Sequence, residues 1–111
     1  MIKSEILKNE YSEKFDELRK CAVEVSFHKY GPAKKNFHEG RVDAIASLKK
    51  KLSAYERTWN TEYLVDVANY AMFEFMYPLN PNAHYSAKDG DIKTLPVGTP
   101  INMEDVSKYQ R

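Results

Sequence analysis

Leu7, Tyr11, Phe15, Leu18, Ala22 and Val25 recur at spacings of 3 and 4, which places them on one face of a helix. The pattern predicts a first helix from Glu5 or Glu10 to Lys29. It stops at "YGP", Tyr30 to Pro32, where Gly takes a helix-ending conformation and Pro cannot continue the ladder. A loop, "PAKKNFHEG", follows. A second helix is expected from about Arg41 to Arg57, with Val42, Ile45, Leu48, Leu52 and Tyr55 as its apolar stripe and "LKKKL" turned to solvent. "TWN" breaks it, and Asn60 or Thr61 then caps a third helix that ends before Pro78. Glu62 sits favourably near the positive end of that helix.

The third helix carries an unusual arrangement. On a helical wheel, Leu64, Ala68, Ala71, Met72 and Phe75 gather on one side, where the two alanines let another helix approach closely. Glu62, Asp66 and Asn69, at spacings of 4 and 3, form a narrow acidic line elsewhere. Val65 and Met76 flank that line on one edge; Tyr70 and Tyr77 border the other. One reading makes the three polar groups caps or hydrogen-bond partners of neighbouring elements. The other makes the two carboxylates ligands of a hard divalent cation such as Mg²⁺, with the amide orienting a ligand.

Beyond Pro78, "LNPNAHYSAKDGDIKTLPVGTP" is rich in Pro, Gly, Asn and Asp and has no defensible period. A short terminal helix from Asn102 to about Lys108 would place Met103 and Val106 as its apolar contacts. No strand pattern stands out. The expected fold is therefore all-α: a helical core over residues 1–78 (an N-terminal helix plus a helical hairpin) and an extended C-terminal tail over 79–111. So long a tail in so small a protein is expected to pack on its own bundle or on a second subunit.

Composition narrows the function. One domain of 111 residues buries a modest fraction of its surface, so dimerisation would help complete the core. The chain is 42% hydrophobic and 30% charged, as in folded soluble proteins. The start "MIKSEILKNEYSEKF" is charged throughout and predicts no signal peptide. No apolar run reaches the ~18 residues of a membrane span. The single Cys21 suits a reducing interior, so a cytoplasmic setting is expected. A net charge of +1 argues against a nucleic-acid footprint. Locally the balance differs: residues 28–57 carry eight basic against three acidic side chains, and residues 58–91 one against five. Such segregation could hold an anion and a cation together, or form two complementary surfaces of a dimer.

The chemistry-bearing residues follow that division. Lys34, Lys35 and Arg41 could neutralise phosphates, Arg with a forked geometry. His28 and His38 are candidate acid–base groups, and two His without a Cys partner make no zinc signature. Glu10, Glu13, Glu17 and Glu24 share one face of the first helix, either solvated or turned toward the third helix. Gly-rich phosphate loops, nucleophile elbows, Cys-x-x-Cys pairs and zinc-protease signatures are absent from the sequence. No organic cofactor is implied. Metal-assisted hydrolysis is the enzymatic chemistry that remains.

The order "KYG…NF…GR…AI…L…L…Y" followed by "NTEYLVDVANYAMFEFM", roughly Lys29 to Tyr77, resembles small phage-type proteins related to the all-α nucleoside triphosphate pyrophosphohydrolases, the MazG-like and dUTPase-like group. The resemblance implies helical carboxylates that hold Mg²⁺, basic side chains that grip a triphosphate, water attack, and release of pyrophosphate from a homodimer. Carried onto this chain, Glu62 and Asp66 would be catalytic and metal-binding, with Glu13 and Glu17 as further metal ligands. Lys34, Lys35 and Arg41 would contact phosphates and Asn69 would orient the substrate. The pattern departs from the family's Glu-x-x-Asp motif, because Glu62 and Asp66 are four apart and Asn69 stands where another acid is expected. The competing expectation is a non-catalytic, phage-encoded binding protein that docks on a host enzyme or defence complex. Its motivation is the small size, the segregated charge and the Pro/Gly-bearing tail with Tyr85 and Tyr109.

Overall fold

The structure, a computed structural model, describes residues 3–87. Its elements are α1 (Lys3–Glu10), α2 (Glu13–Tyr30), a π-helical segment (Lys34–His38), α3 (Ala44–Thr58) and α4 (Glu62–Met76). There is no strand among the described residues, and the all-α expectation holds. A unit of Lys14–Ala83 contains most of α2 and all of the π-helical segment, α3 and α4. Lys3–Glu13 and His84–Ala87 lie outside it. The expected terminal helix around Asn102 to Lys108 falls outside the described residues.

Local chemistry sets each boundary. The expected first helix is interrupted at Tyr11 and Ser12, so it becomes α1 and α2. A Ser hydroxyl competes for nearby backbone groups, which favours a break there. α2 stops at Gly31, whose φ of 81° suits a residue without Cβ and whose N–H donates to the Phe27 carbonyl at 2.9 Å. α3 begins at Asp43, whose Oδ1 accepts from the Ala46 N–H at 3.0 Å, an N-cap that satisfies one orphan donor. It ends at Trp59 in the left-handed region, φ 59°. Asn60 starts α4: its Oδ1 accepts from the Glu62 N–H at 3.0 Å, while Thr61 makes no side-chain cap bond.

The segment expected as a plain loop is instead partly helical. Lys34–His38 forms a π turn, a rare element that recurs at functional sites. Asn36 holds it in place: its Nδ2 donates to the Tyr30 carbonyl at 3.1 Å and its carbonyl accepts from the Val42 N–H at 2.7 Å. The turn delivers Phe37 into the core, where its ring stacks on Phe73 at 4.7 Å and meets Tyr70 edge-on at 6.2 Å.

α3 and α4 form the closely packed pair, a helical hairpin. α2 buries none of its residues and reaches α4 through longer side chains. Two expected faces are therefore corrected. α3 buries Ala44 and Ala54, whereas Ile45 and Leu52 from the expected stripe stay exposed. Close hairpin packing favours small residues at the contact and leaves the larger ones at its edge. α4 buries Val65, Asn69 and Phe73, so of the acidic line Asn69 is buried, Asp66 half-buried and Glu62 exposed, while Ala71 and Phe75 face out. The aromatic stack on Phe73 fixes that rotation.

Candidate functional site

Asn69 is the one buried polar residue among the described residues, 6% exposed. Both ends of its amide are tied to α2. Its Oδ1 accepts from the Arg19 Nε–H at 3.2 Å, and its Nδ2 donates to the Arg19 carbonyl at 3.1 Å. The Arg19 guanidinium also donates through Nη2 to the Met72 sulfur at 3.3 Å and lies 3.6 Å from Asp16. A charged donor spread over three partners is a stronger strut than a neutral hydrogen bond. The sequence reading missed Arg19. Its signal was present: Arg19 follows Phe15 by 4 and precedes Ala22 by 3, so an arginine stands within an apolar helix face.

Asp66, one turn earlier, is half-buried and pairs with Lys51 Nζ at 3.3 Å. The same Nζ lies 5.5 Å from the Tyr63 ring centroid. Lys51 therefore leaves the solvated "LKKKL" face on which it was expected, since the third lysine of that run points at α4 while Lys49 and Lys50 remain exposed. Glu62 is exposed at the start of α4.

Two grooves meet at Asp66. The first, about 280 Å³, lies between α2, the π-helical segment and α4. Five rings line it: Phe27, Tyr30, Phe37, Tyr70 and Phe73. Ser26, Asn36, Asp66 and Asn69 supply its polar groups. The second, about 470 Å³, lies between α2 and the start of α4, with Phe15, Leu18 and Leu64 as apolar lining and Glu62 and Asp66 as its acids. Of the residues expected to form a site, Asp66 and Asn69 thus share the aromatic groove, and Asp66 and Glu62 share the other.

The basic residues sit beside the first groove. Lys34 and Lys35 are exposed on the π-helical segment whose neighbours Ala33, Asn36 and Phe37 line it. Arg41 is exposed, 3.8 Å from Glu39. His28 and His38 are exposed as well, with ring contacts to Phe27 and Tyr77. Glu13 and Glu17 are exposed on α2. No group of three or more His, Cys, Asp or Glu that could hold a metal ion forms among the described residues. Glu62 and Asp66, on successive turns of α4, form a two-carboxylate donor set. Such a set suits Mg²⁺ when phosphate oxygens and water complete the octahedron.

Comparison with known proteins finds no matching family model, no matching curated protein and no matching solved structure. Among the described residues, no helix is long and apolar enough to cross a membrane.

Proposed function

We propose that the protein binds a nucleoside triphosphate, with the base in the aromatic groove and the phosphates toward Lys34 and Lys35. The observation that carries this reading is the groove of about 280 Å³ with five ring walls and only four polar side chains. Concave, largely apolar sites with a few placed polar groups are the usual form of small-ligand pockets. Planar bases gain about 1–3 kcal/mol each from stacking on aromatic side chains. Asn69 uses one N–H on Arg19 and keeps a second for a ligand acceptor. Lys34 and Lys35, on the rim element, provide mobile cationic donors suited to phosphate.

Hydrolysis to a nucleotide monophosphate and pyrophosphate is the activity that accompanies this reading through the sequence resemblance. Glu62 and Asp66 would hold the cation that arrives with the nucleotide, and Asp66 would exchange its pairing with Lys51 to do so. When bound, Mg²⁺ supplies charge neutralisation on the phosphates and an activated water.

A thermal-shift titration of the full chain with purine and pyrimidine triphosphates, with and without Mg²⁺, tests the reading. Binding to the native state stabilises by mass action, so a rise of several degrees is expected for the preferred nucleotide at ligand well above Kd. The double variant Lys34→Ala, Lys35→Ala should weaken it. A Mg²⁺-dependent part of the shift that vanishes in Glu62→Gln, Asp66→Asn would justify an assay of pyrophosphate release. Absence of any shift would overturn nucleotide binding. The alternative, a non-catalytic protein that docks on a macromolecule, would then stand on Trp59, which is 70% exposed in a left-handed conformation with an edge-on contact to Tyr55 at 5.4 Å. An exposed aromatic in strained backbone is the kind of outlier that marks binding sites.

A further inference from the structure

Five rings line the first groove, yet a planar base has two faces and stacks on two rings at most. The inner rings suffice for one base. Phe37 and Phe73 are buried and Tyr70 is half-buried, and the first two lie nearly parallel at 4.7 Å. Phe27 and Tyr30, on the last turn of α2, are a different kind of wall. Phe27 is 54% and Tyr30 71% exposed, so two large rings stand in water at the open edge of the groove. Both are held there. Asn36 donates to the Tyr30 carbonyl at 3.1 Å, and the His28 ring meets Phe27 edge-on at 5.8 Å.

The charge around that edge is mostly of one sign. Between residues 28 and 41, Lys29, Lys34, Lys35 and Arg41 stand against Glu39 alone, and all four are exposed. Glu39 faces Arg41 at 3.8 Å, which leaves the three lysines as the local excess. Asp66, the one carboxylate that lines this groove, is already paired with Lys51 at 3.3 Å.

We propose that the groove takes one base of a single-stranded nucleic acid, with Phe27 and Tyr30 stacking its neighbouring bases and Lys29, Lys34 and Lys35 contacting the phosphates. This rests on the nucleotide reading of the groove and extends its ligand from a free triphosphate to a strand. Aromatic platforms beside a positively charged track are the physical form of single-strand binding, because every base offers a π-face. A duplex fits poorly. Its bases are already stacked and paired, and a net charge of +1 is too small for a duplex footprint. An acidic peptide would satisfy the lysines but brings no row of planar groups to the two outer rings.

The chemistry sets the expected magnitudes. Two or three phosphate contacts on a single strand give a slope of log K against log salt of about −1.4 to −2. Affinity should therefore fall roughly tenfold between about 50 and 200 mM salt. Removing one stacking ring should weaken the strand about fivefold or more.

Fluorescence anisotropy of the full chain with labelled oligonucleotides of about eight residues tests the proposal, with oligo-dT and oligo-rU in separate arms. The expected result is saturable binding by roughly 100 µM protein that weakens with salt as above. Tighter binding of either arm supports the proposal and assigns the strand as DNA or RNA. Tyr30→Ala keeps the backbone carbonyl that Asn36 uses. It should weaken the strand about fivefold or more and a free triphosphate less than about twofold. Lys29→Ala should lower the salt slope by about 0.7, and it decides alone if Tyr30→Ala loses helical circular dichroism. A strand that does not bind, while triphosphates still raise the melting temperature, overturns the proposal and leaves the nucleotide reading standing. Failure of both ligands overturns both. Binding of a hairpin duplex as tight as that of the single strand, or indifference to a folded Tyr30→Ala, means plain polyanion attraction and overturns the proposal as well.

Discussion

Asn69 and Arg19 form the most tightly specified contact in the helical unit. The amide is buried and its two ends meet a guanidinium N–H and a backbone carbonyl of the same residue. Replacing one member strands the other. Asn69→Leu should fit the space yet leave the Arg19 Nε–H without its acceptor, a loss of about 2 kcal/mol. Asn69→Asp keeps the acceptor for the Arg19 Nε–H but sets an acceptor oxygen against the Arg19 carbonyl where Nδ2 donated, so it too should destabilise. Urea denaturation of the three proteins measures the difference, and equal stabilities for Leu and Asn would show that the contact contributes nothing. Lys51 illustrates a weaker case. Its pair with Asp66 is about one-third exposed on each side and belongs with surface pairs worth roughly 0–1 kcal/mol.

At the scale of elements, helix boundaries rest on a few hydrogen bonds. Asp43 Oδ1 accepting from the Ala46 N–H is the side-chain cap of α3. Asp43→Ala should destabilise by about 1 kcal/mol and Asp43→Ser by only a few tenths, read as a fall in melting temperature for the first and little change for the second. α3 ends differently, with Trp59 in a conformation that disfavours L side chains by roughly 1–2 kcal/mol. The Tyr55 ring, 5.4 Å away and edge-on, returns about 0.5–1.5 kcal/mol of that. The π-helical segment is fixed by Asn36, whose amide and carbonyl bridge Tyr30 and Val42. Its wider turn is what aims Phe37 inward while Lys34 and Lys35 stay exposed.

Among the described residues of the Lys14–Ala83 unit, the core is thin. Phe37, Ala44 and Phe73 make its centre, with Val42, Tyr70 and Met72 packed around them. Phe37 belongs both to that centre and to the groove wall, so stability and binding share a residue. Phe37→Ala should cost about 3–5 kcal/mol, a large share of the roughly 5–15 kcal/mol available to a small domain. The expected outcome is a broadened melt with dye-binding apolar surface, and a sharp transition within a few degrees of the parent would count against this core. A unit with so little buried depends on whatever covers its remaining apolar surface, and a ligand in the groove would raise its melting temperature.

The sequence by itself determined the helical class, the stop at Gly31, the Asn60 start of α4 and the singular line of Glu62, Asp66 and Asn69. Those are local properties: periodicity, turn residues and side chains that bond within a few positions of themselves. Only the tertiary structure decided which way the helices turn. Amphipathic spacing identifies a stripe but not its partner, so Leu64, Ala68, Ala71, Met72 and Phe75 read as a packing face, although Ala71 and Phe75 are exposed and the stack of Phe37 on Phe73 turns Asn69 inward instead. Arg19 and Asn69 are fifty positions apart, and no local pattern links them. Lys51 looked solvated among its neighbours until α4 brought Asp66 to it. Separation along the chain is what hid these contacts, because a side chain's partner is chosen by packing once the backbone geometry is set.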